Sequence, residues 1–381
     1  MKKIGIIGYG SRMSSLVHHL LKYVDVCEIS AIADPNPDFA KNHLTEYKQD
    51  LSKINFYADA VEMLNIEKLD AVMIGTRCSL HTDMAVEVIK RGLYLFLEKP
   101  VSINEEQLFA LEEAVKKYNA REKIVVSFPL RVSDMCQKVK ELIDSGVIGK
   151  VEHVVAINYP FYARGYYHKW YRSAEETGGL FLQKATHDLD YINYLVGEKP
   201  VRICAMKSKQ IFKGDKPADL KCADCKEREI CPESDINVIS YGGEPKPGEL
   251  CCYSSANGLE DSGTVIVEYE SGMHAVYTQD FIARKHAGAR GARLFGYKGT
   301  IEFDWTRSFL KIYYHNEDKV EDINLEKEVG HDVGDSRLIK NFTDMICNGA
   351  KPEATIEEGC LSAKMCILAK KSSEKYEFYN L

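Results

Sequence analysis

The chain has 381 residues, of which 45% are hydrophobic and 28% charged, and its formal net charge is −7. That length exceeds what one hydrophobic core usually holds, so two domains are expected. The acidic balance gives no electrostatic reason to expect nucleic acid or an anionic membrane, and no stretch approaches the roughly 20 apolar residues that span a bilayer, which leaves a small molecule as the expected partner.

The first residues, MKKIGIIGYGSRMSS, do not read as a signal peptide, because glycines break the apolar run at once. A cytoplasmic protein is expected, and most of its 12 cysteines would then be reduced.

KKIGIIGYG is a β-prone run ending in Gly8-Tyr9-Gly10, and Leu16, Val17, Leu20 and Leu21 follow it with helical period. A strand, a tight turn and a helix are the start of a dinucleotide-binding unit. The second strand, CEISAIAD, ends in Asp34, some two dozen residues after Gly10, where a carboxylate can accept hydrogen bonds from a ribose diol. LDAVMIGT and LYLFLEKP supply further strands with helical segments between them, so the first domain, residues 1–124, is expected to be an α/β, doubly wound parallel sheet. Gly8, Gly10, Ser11, Arg12, Met13 and Asp34 form the expected cofactor set. Met13 stands where the third glycine of the usual fingerprint falls, so either the helix stands off the strand or the methionine packs under the cofactor. With no arginine beside Asp34 to hold a 2′-phosphate, NAD is favoured over NADP.

The second domain, residues 125–381, opens with VEHVVAINY, which alternates like a strand and leads into FYARGYYHKWYRS. Aromatic faces suit the apolar C–H faces of sugar rings, and cations bind their hydroxyls, so this segment reads as a carbohydrate-binding wall containing Arg164, Trp170 and Arg172. In GGLFLQKATHDLDYINYLVG, helical spacing lines up Gln183, His187, Asp190 and Tyr194, opposite Ala185, Leu189, Ile192 and Val196. The polar line is expected to face the site. Lys184 either adds a second cation there or turns outward to pair with Asp188 at i+4.

An insertion at about 213–258 carries Cys222, Cys225 and Cys231, with Cys251 or Cys252 about 20 residues later. Four thiolates so spaced suit a structural zinc; a disulfide or free thiols are the alternatives, and the spacing fits no standard iron–sulfur run. Further on, His331 and Asp335 lie where a loop side chain can reach the site, and a helix at about 355–375 is expected to pack back on the first domain.

Taken together, these segments resemble the Gfo/Idh/MocA family (glucose-fructose oxidoreductase, inositol dehydrogenase, MocA) of NAD(P)-dependent oxidoreductases. The resemblance rests on Glu98-Lys99-Pro100, on GTRCSLHTDMA with Thr76 and His81, on LIDSGVIGKVEHV, on the His187 helix and on GHDVGDSRLIKNF. It implies a second domain with a large, open, mostly antiparallel sheet, and a homodimer or homotetramer. It also implies that Thr76, His81 and Glu98 join the cofactor set, that Lys99 and His187 manage a hydroxyl proton, and that the Lys99–Pro100 bond is cis. Arg131, Gln183, Lys184 and His331 complete the expected substrate contacts. Many dehydrogenases of the family carry aspartate where Gln183 stands, and glutamine cannot relay a proton. The expected function is hydride transfer between NAD and a secondary hydroxyl of a sugar, glycoside or cyclic polyol. The alternative is a redox-neutral glycosidase that retains NAD through oxidation, elimination and re-reduction.

Overall fold

The structure, a computed structural model, describes residues 1–237, 248–325 and 332–381. It divides into two compact units. The first is Met1–Gln137 with the described part of Glu328–Lys364, and the second is the described part of Lys138–Lys327 with Met365–Leu381.

In the first unit, strands β1 (Lys2–Ile7), β2 (Cys27–Ala33), β3 (Asn55–Tyr57), β4 (Ala71–Ile74), β5 (Tyr94–Leu97) and β6 (Ile124–Val126) form one sheet in the order β3-β2-β1-β4-β5-β6. Every pair is parallel. Parallel strands need helical crossovers, and the helices α1 (Ser11–Leu20), α2 (Asp38–Glu46), α3 (Ala60–Ile66), α4 (His81–Lys90) and α5 (Glu105–Lys117) supply them. Local chemistry agrees with these boundaries. Asn104 caps α5 by accepting from the Gln107 N–H at 2.8 Å, acids fill its first turn, and Lys116 and Lys117 fill its last. The strand order reverses between β1 and β4, which in open α/β sheets is where ligands bind.

α6 (Asp134–Asp144) carries the chain across the unit boundary. The helix α10 (Asp332–Asn348), numbered after α7 (Arg164–His168), α8 (Ala174–Thr177) and α9 (Thr186–Val196) of the second unit, returns to the first. There Phe342 packs edge-on against Phe96 of β5, with ring centroids 5.6 Å apart. Gly334 permits this return: a Cβ at that position would lie 2.1 Å from the Pro129 carbonyl oxygen. The first half of α11 (Ile356–Lys375) belongs to the same unit, so the first unit takes in more than the 1–124 segment read from sequence.

The second unit is built on nine strands: β7 (Val151–Tyr159), β8 (Pro200–Ser208), β9 (Ser262–Tyr269), β10 (His274–Asp280), β11 (Ala289–Gly296), β12 (Gly299–Asp304), β13 (Phe309–Tyr314), β14 (Lys319–Asp322) and β15 (Tyr379–Asn380). Their order is β14-β13-β12-β11-β7-β10-β9-β8-β15, antiparallel except for β7 with β10. Period-two alternation gives the sheet two unlike faces. Val154, Ala156, Val267, Ala275, Leu294 and Ile301 are buried on one face, where Tyr191 of α9 packs edge-on against Phe303. On the other face Val155, Ile157 and Val276 are half-buried, while Ile266 and Met206 are exposed.

Candidate active site

The first unit contributes the loop after β1. Gly8 has φ +79, and a Cβ there would meet the Thr76 backbone at 2.8 Å, so only glycine lets this turn approach the end of β4. Gly10 precedes α1; no side chain caps this helix, and a Cβ on Gly10 would meet no protein atom within 4 Å. An uncapped helix start facing open space fits the phosphates of a dinucleotide. Asp34 closes the far side: its Oδ2 accepts from the Tyr9 N–H at 2.7 Å, and Oδ1 from the Asn36 N–H at 2.8 Å. Met13 is fully buried, and a Cβ on Gly75 would lie 2.6 Å from its Cε. The glycine missing at position 13 is thus replaced by one at position 75, and the Met13 side chain packs on the strand end instead of presenting itself to a ligand.

Arg12 does not reach outward. Its Nε donates to Glu98 Oε1 at 2.7 Å, Nη2 to Ser127 Oγ at 2.9 Å and to Asp335 Oδ1 at 2.7 Å, and Nη1 to the other Asp335 oxygen. Ser127 Oγ also donates to Glu98 Oε1 at 2.8 Å. One guanidinium therefore ties together the starts of α1 and α10 and the ends of β5 and β6. Desolvation pushes the Asp335 carboxyl above its ordinary range in spite of Arg12, which marks how dry this corner is. Lys99 follows Glu98, is half-buried, and joins Pro100 through a cis peptide bond, as the resemblance implies. His81 braces the same turn, with Nδ1 2.8 Å from the Pro100 carbonyl oxygen and Nε2 3.2 Å from that of Thr76. Burial lowers its pKa, so the ring is neutral and donates its single proton to one of those carbonyls. Thr76 is half-buried. Glu98, His81 and Arg12 thus hold the Lys99 turn in place; the sequence reading placed all three against the cofactor. Arg131, expected at the substrate, is buried and pairs with Glu358 at 2.5 Å.

In the second unit, His187 lies on α9, which is entered through a π turn at Phe181–Ala185. The wider turn shifts the register, so Gln183 and His187 do not share a line as ideal helical spacing predicts. Nor does one face meet water: Gln183, His187 and Asp190 are each at most 6% exposed, and Ala185 and Leu189 are buried as well. Glu260 holds the start of this segment by accepting from the Leu180 and Phe181 N–H groups at 3.0 and 3.2 Å.

Lys184 does not pair with Asp188. Its Nζ donates to the Tyr162 hydroxyl at 2.6 Å and lies 4.6 Å from the centroid of that ring and 5.2 Å from that of Tyr166. Asp188, fully buried, instead accepts from Arg290 at 2.9 and 3.1 Å, Asn158 at 2.7 Å and Tyr277 at 3.0 Å. Nothing in the periodicity of this helix distinguished Asp188 or its partner on β11.

Two family models match the chain: the NAD-binding Rossmann fold of the Gfo/Idh/MocA oxidoreductase family over residues 2–126, and a Gfo/Idh/MocA C-terminal domain over residues 136–302. The chain belongs to the Gfo/Idh/MocA family of oxidoreductases. The Bacillus subtilis (strain 168) protein YteT is 25% identical to it over 90% of this chain and 88% of YteT. The myo-inositol 2-dehydrogenase of Thermotoga maritima is 29% identical over 53% of this chain, which spans 57% of that enzyme's length. Among solved structures, levoglucosan dehydrogenase in complex with NADH and levoglucosan superposes with a TM-score of 0.78 at 17% identity, covering 100% of this chain and 99% of that one. As a member of this family, the protein is an NAD-binding oxidoreductase.

Within this family framework the aromatic segment after β7 departs from expectation. Arg164 forms an ion pair with Glu249 and donates to the Glu233 carbonyl at 3.1 Å. Arg172, 8% exposed, donates to the Cys251 carbonyl at 3.2 Å, to Ser254 Oγ at 3.0 Å and to the Ala218 carbonyl. Both arginines therefore fasten the insertion. Trp170 is half-buried and stacks on Tyr171, with centroids 4.0 Å apart. Phe212 and Leu259, which flank the insertion, and Cys252 within it pack with Ala163, Tyr167, Leu180 and Phe281. Cys222, Cys225, Cys231, Cys251 and Cys252 are thiols outside any disulfide, and burial raises the pKa of Cys222, Cys231 and Cys251. Among the described residues no group of three or more metal-binding side chains is arranged to hold an ion, so Cys222, Cys225, Cys231 and Cys251 do not assemble the expected site. His331 lies outside the described residues.

Proposed function

We propose that this oxidoreductase moves a hydride between NAD and a secondary hydroxyl of a sugar, glycoside or cyclic polyol, with Lys99 and His187 handling the hydroxyl proton. The observation that carries the reading is the fixed Lys99 turn: a lysine at the carboxyl end of β5, in the same unit as the open Gly10 helix start, braced by Arg12, Glu98 and His81. When bound, NAD supplies the hydride acceptor or donor. The Lys99 ammonium steadies the developing alkoxide, and the His187 imidazole, whose ordinary pKa lies near neutrality, accepts the proton. Gly8, Gly10, Ser11, Thr76 and Asp34 line the cofactor side. Asp34 favours NAD, since a carboxylate there receives a ribose hydroxyl and repels a 2′-phosphate. Gln183 faces the substrate beside His187.

The substrate class draws support from the names of relatives acting on myo-inositol and levoglucosan. The open face of the second sheet, with Ile266 and Met206 exposed, suits a second copy of the chain. The test is to mix the protein and NAD with free hexoses, hexosides and inositols and follow the near-ultraviolet absorbance of NADH. Sustained NADH formation is expected. Release of aglycone from a hexoside with no net NADH would overturn the reading in favour of a redox-neutral glycosidase.

A further inference from the structure

Lys184 poses a problem in charge. Its side chain is 5% exposed, and burying an ammonium is costly unless an anion compensates it. The nearest carboxylate on the same helical stretch, Asp188, is committed to Arg290, Asn158 and Tyr277. What surrounds the ammonium instead is a pair of phenols: the Tyr162 hydroxyl at 2.6 Å and the ring of Tyr166 beside it. The two phenols differ in access, since Tyr162 is 49% exposed and Tyr166 is half-buried.

A phenol is the one neutral group here that can become the missing anion. Ionised Tyr162 would compensate the buried ammonium, and Lys184, held under two rings, has little freedom to leave. The groups facing Tyr162 are Lys184 from the π turn, Arg290 from β11, Asp188 from α9 and Tyr166 from α7. Desolvation raises the Tyr162 pKa, but Lys184 and Arg290 more than offset it, and the phenol is held below its ordinary value. Tyr162, 49% exposed as a residue, then offers its hydroxyl oxygen to a ligand as a proton acceptor while its counter-ion stays buried.

We propose that Tyr162 and Lys184 form a phenol–ammonium dyad in which Tyr162 exchanges a proton with a substrate hydroxyl, a second acid/base group beside His187. The inference rests on the oxidoreductase reading above for its substrate. In the oxidative direction the carbinol C–H bond breaks and its electron pair leaves as hydride to NAD. The carbonyl π bond forms from the O–H electrons, and the hydroxyl proton passes to the Tyr162 oxygen, which shares the acceptor role with the His187 imidazole. Lys184 keeps its own proton throughout and stabilises the phenolate before transfer. In reduction each step reverses, with Tyr162 donating.

Two measurements test this. The first needs no substrate: the near-ultraviolet phenolate band is titrated in the wild type, Tyr162→Phe, Lys184→Met and Lys184→Arg. The wild type should show one tyrosine ionising at lower pH than the rest, absent in Tyr162→Phe, displaced upward in Lys184→Met and retained in Lys184→Arg, which keeps the charge should methionine there prevent folding. Identical wild-type and Tyr162→Phe titrations below about pH 10, the ordinary tyrosine value, would overturn the dyad. The second is the pH profile of kcat/KM on whichever sugar or inositol yields NADH. Lys184→Met should move the acid limb upward by at least about one pH unit and Lys184→Arg should restore it. A Tyr162→Phe enzyme with the wild-type rate at every pH would remove Tyr162 from the reaction. An absence of NADH with every substrate would sink the oxidoreductase reading but leave the spectroscopic result standing on its own.

Discussion

Replacing Arg12 by methionine separates two roles that its position beside the glycine loop confounds. The structure places its guanidinium between Glu98 and Asp335, which are 4% and 3% exposed, and gives it three partners across four elements. Removing it strands two buried carboxylates. Breaking a buried ion pair costs about 3–5 kcal/mol, and since Arg12 is itself 31% exposed, screening favours the low end, about 3 kcal/mol. For a unit of this size that corresponds to a fall in Tm of about 6–12 °C. The pH dependence has a definite sign. Desolvation already raises the Asp335 carboxyl and Arg12 opposes that rise, so without the cation its folded-state pKa moves further above the unfolded value, the folded state binds more protons and the variant loses stability as pH rises. The deficit, read by circular dichroism melts of wild type and Arg12→Met, should be larger at about pH 8 than at about pH 5. An unchanged Tm with a tenfold weaker Kd for NAD would refute the argument and make Arg12 a cofactor ligand.

Other outcomes follow from the same geometry. Gly10→Val should melt like the wild type, because its Cβ meets no protein atom, yet weaken NAD binding at least about tenfold in a fluorescence titration by filling the helix start. Phe212→Ala should destabilise the second unit by about 3–5 kcal/mol in urea unfolding, whereas dialysis against a chelator should leave its midpoint where it was, since the four cysteines do not assemble a metal site. Asp188→Asn should cost about 3 kcal/mol or more by leaving Arg290 buried and unpaired; a Tm within a degree or so of wild type would contradict the buried-pair reading. Lys99→Met and His187→Ala should each lower kcat at least about a hundredfold, the scale of a lost acid/base group, and near-normal turnover in either would exclude that residue.

The alternation of strands and helices in the first unit was legible because a parallel sheet buries both strand faces and writes continuous apolar runs such as AVMI and LYLFL. Gly8 was legible because a turn that close to the end of β4 demands glycine, and Gly10 and Asp34 because of their spacing after β1 and at the end of β2. What was not legible lies in pairings distant along the chain. Arg12 reads as a loop cation until Asp335 arrives from the far end of the sequence, and Arg164 and Arg172 read as sugar-binding until the insertion folds over them. Asp188 and Arg290 are 2.9 Å apart in space and 102 positions apart in sequence, so no local period relates them. The π turn before α9 is likewise invisible to an analysis that assumes 3.6 residues per turn, and it changes which side chains flank His187. The cysteine spacing suggested metal because spacing records neither depth nor neighbours. Phe212 and Leu259, which seat the two ends of the insertion in an apolar cluster, are ordinary apolar residues in an irregular stretch.

The central claim is that a carbon-bound hydride leaves a sugar or polyol carbinol for NAD on this protein. The most direct measurement incubates the enzyme and NAD with myo-inositol and glucose deuterated at carbon, then weighs the reduced cofactor by mass spectrometry. The account requires NADH carrying deuterium at the nicotinamide ring. Reduced cofactor without deuterium, or aglycone release from deuterated hexosides with the label retained on the sugar, would contradict it.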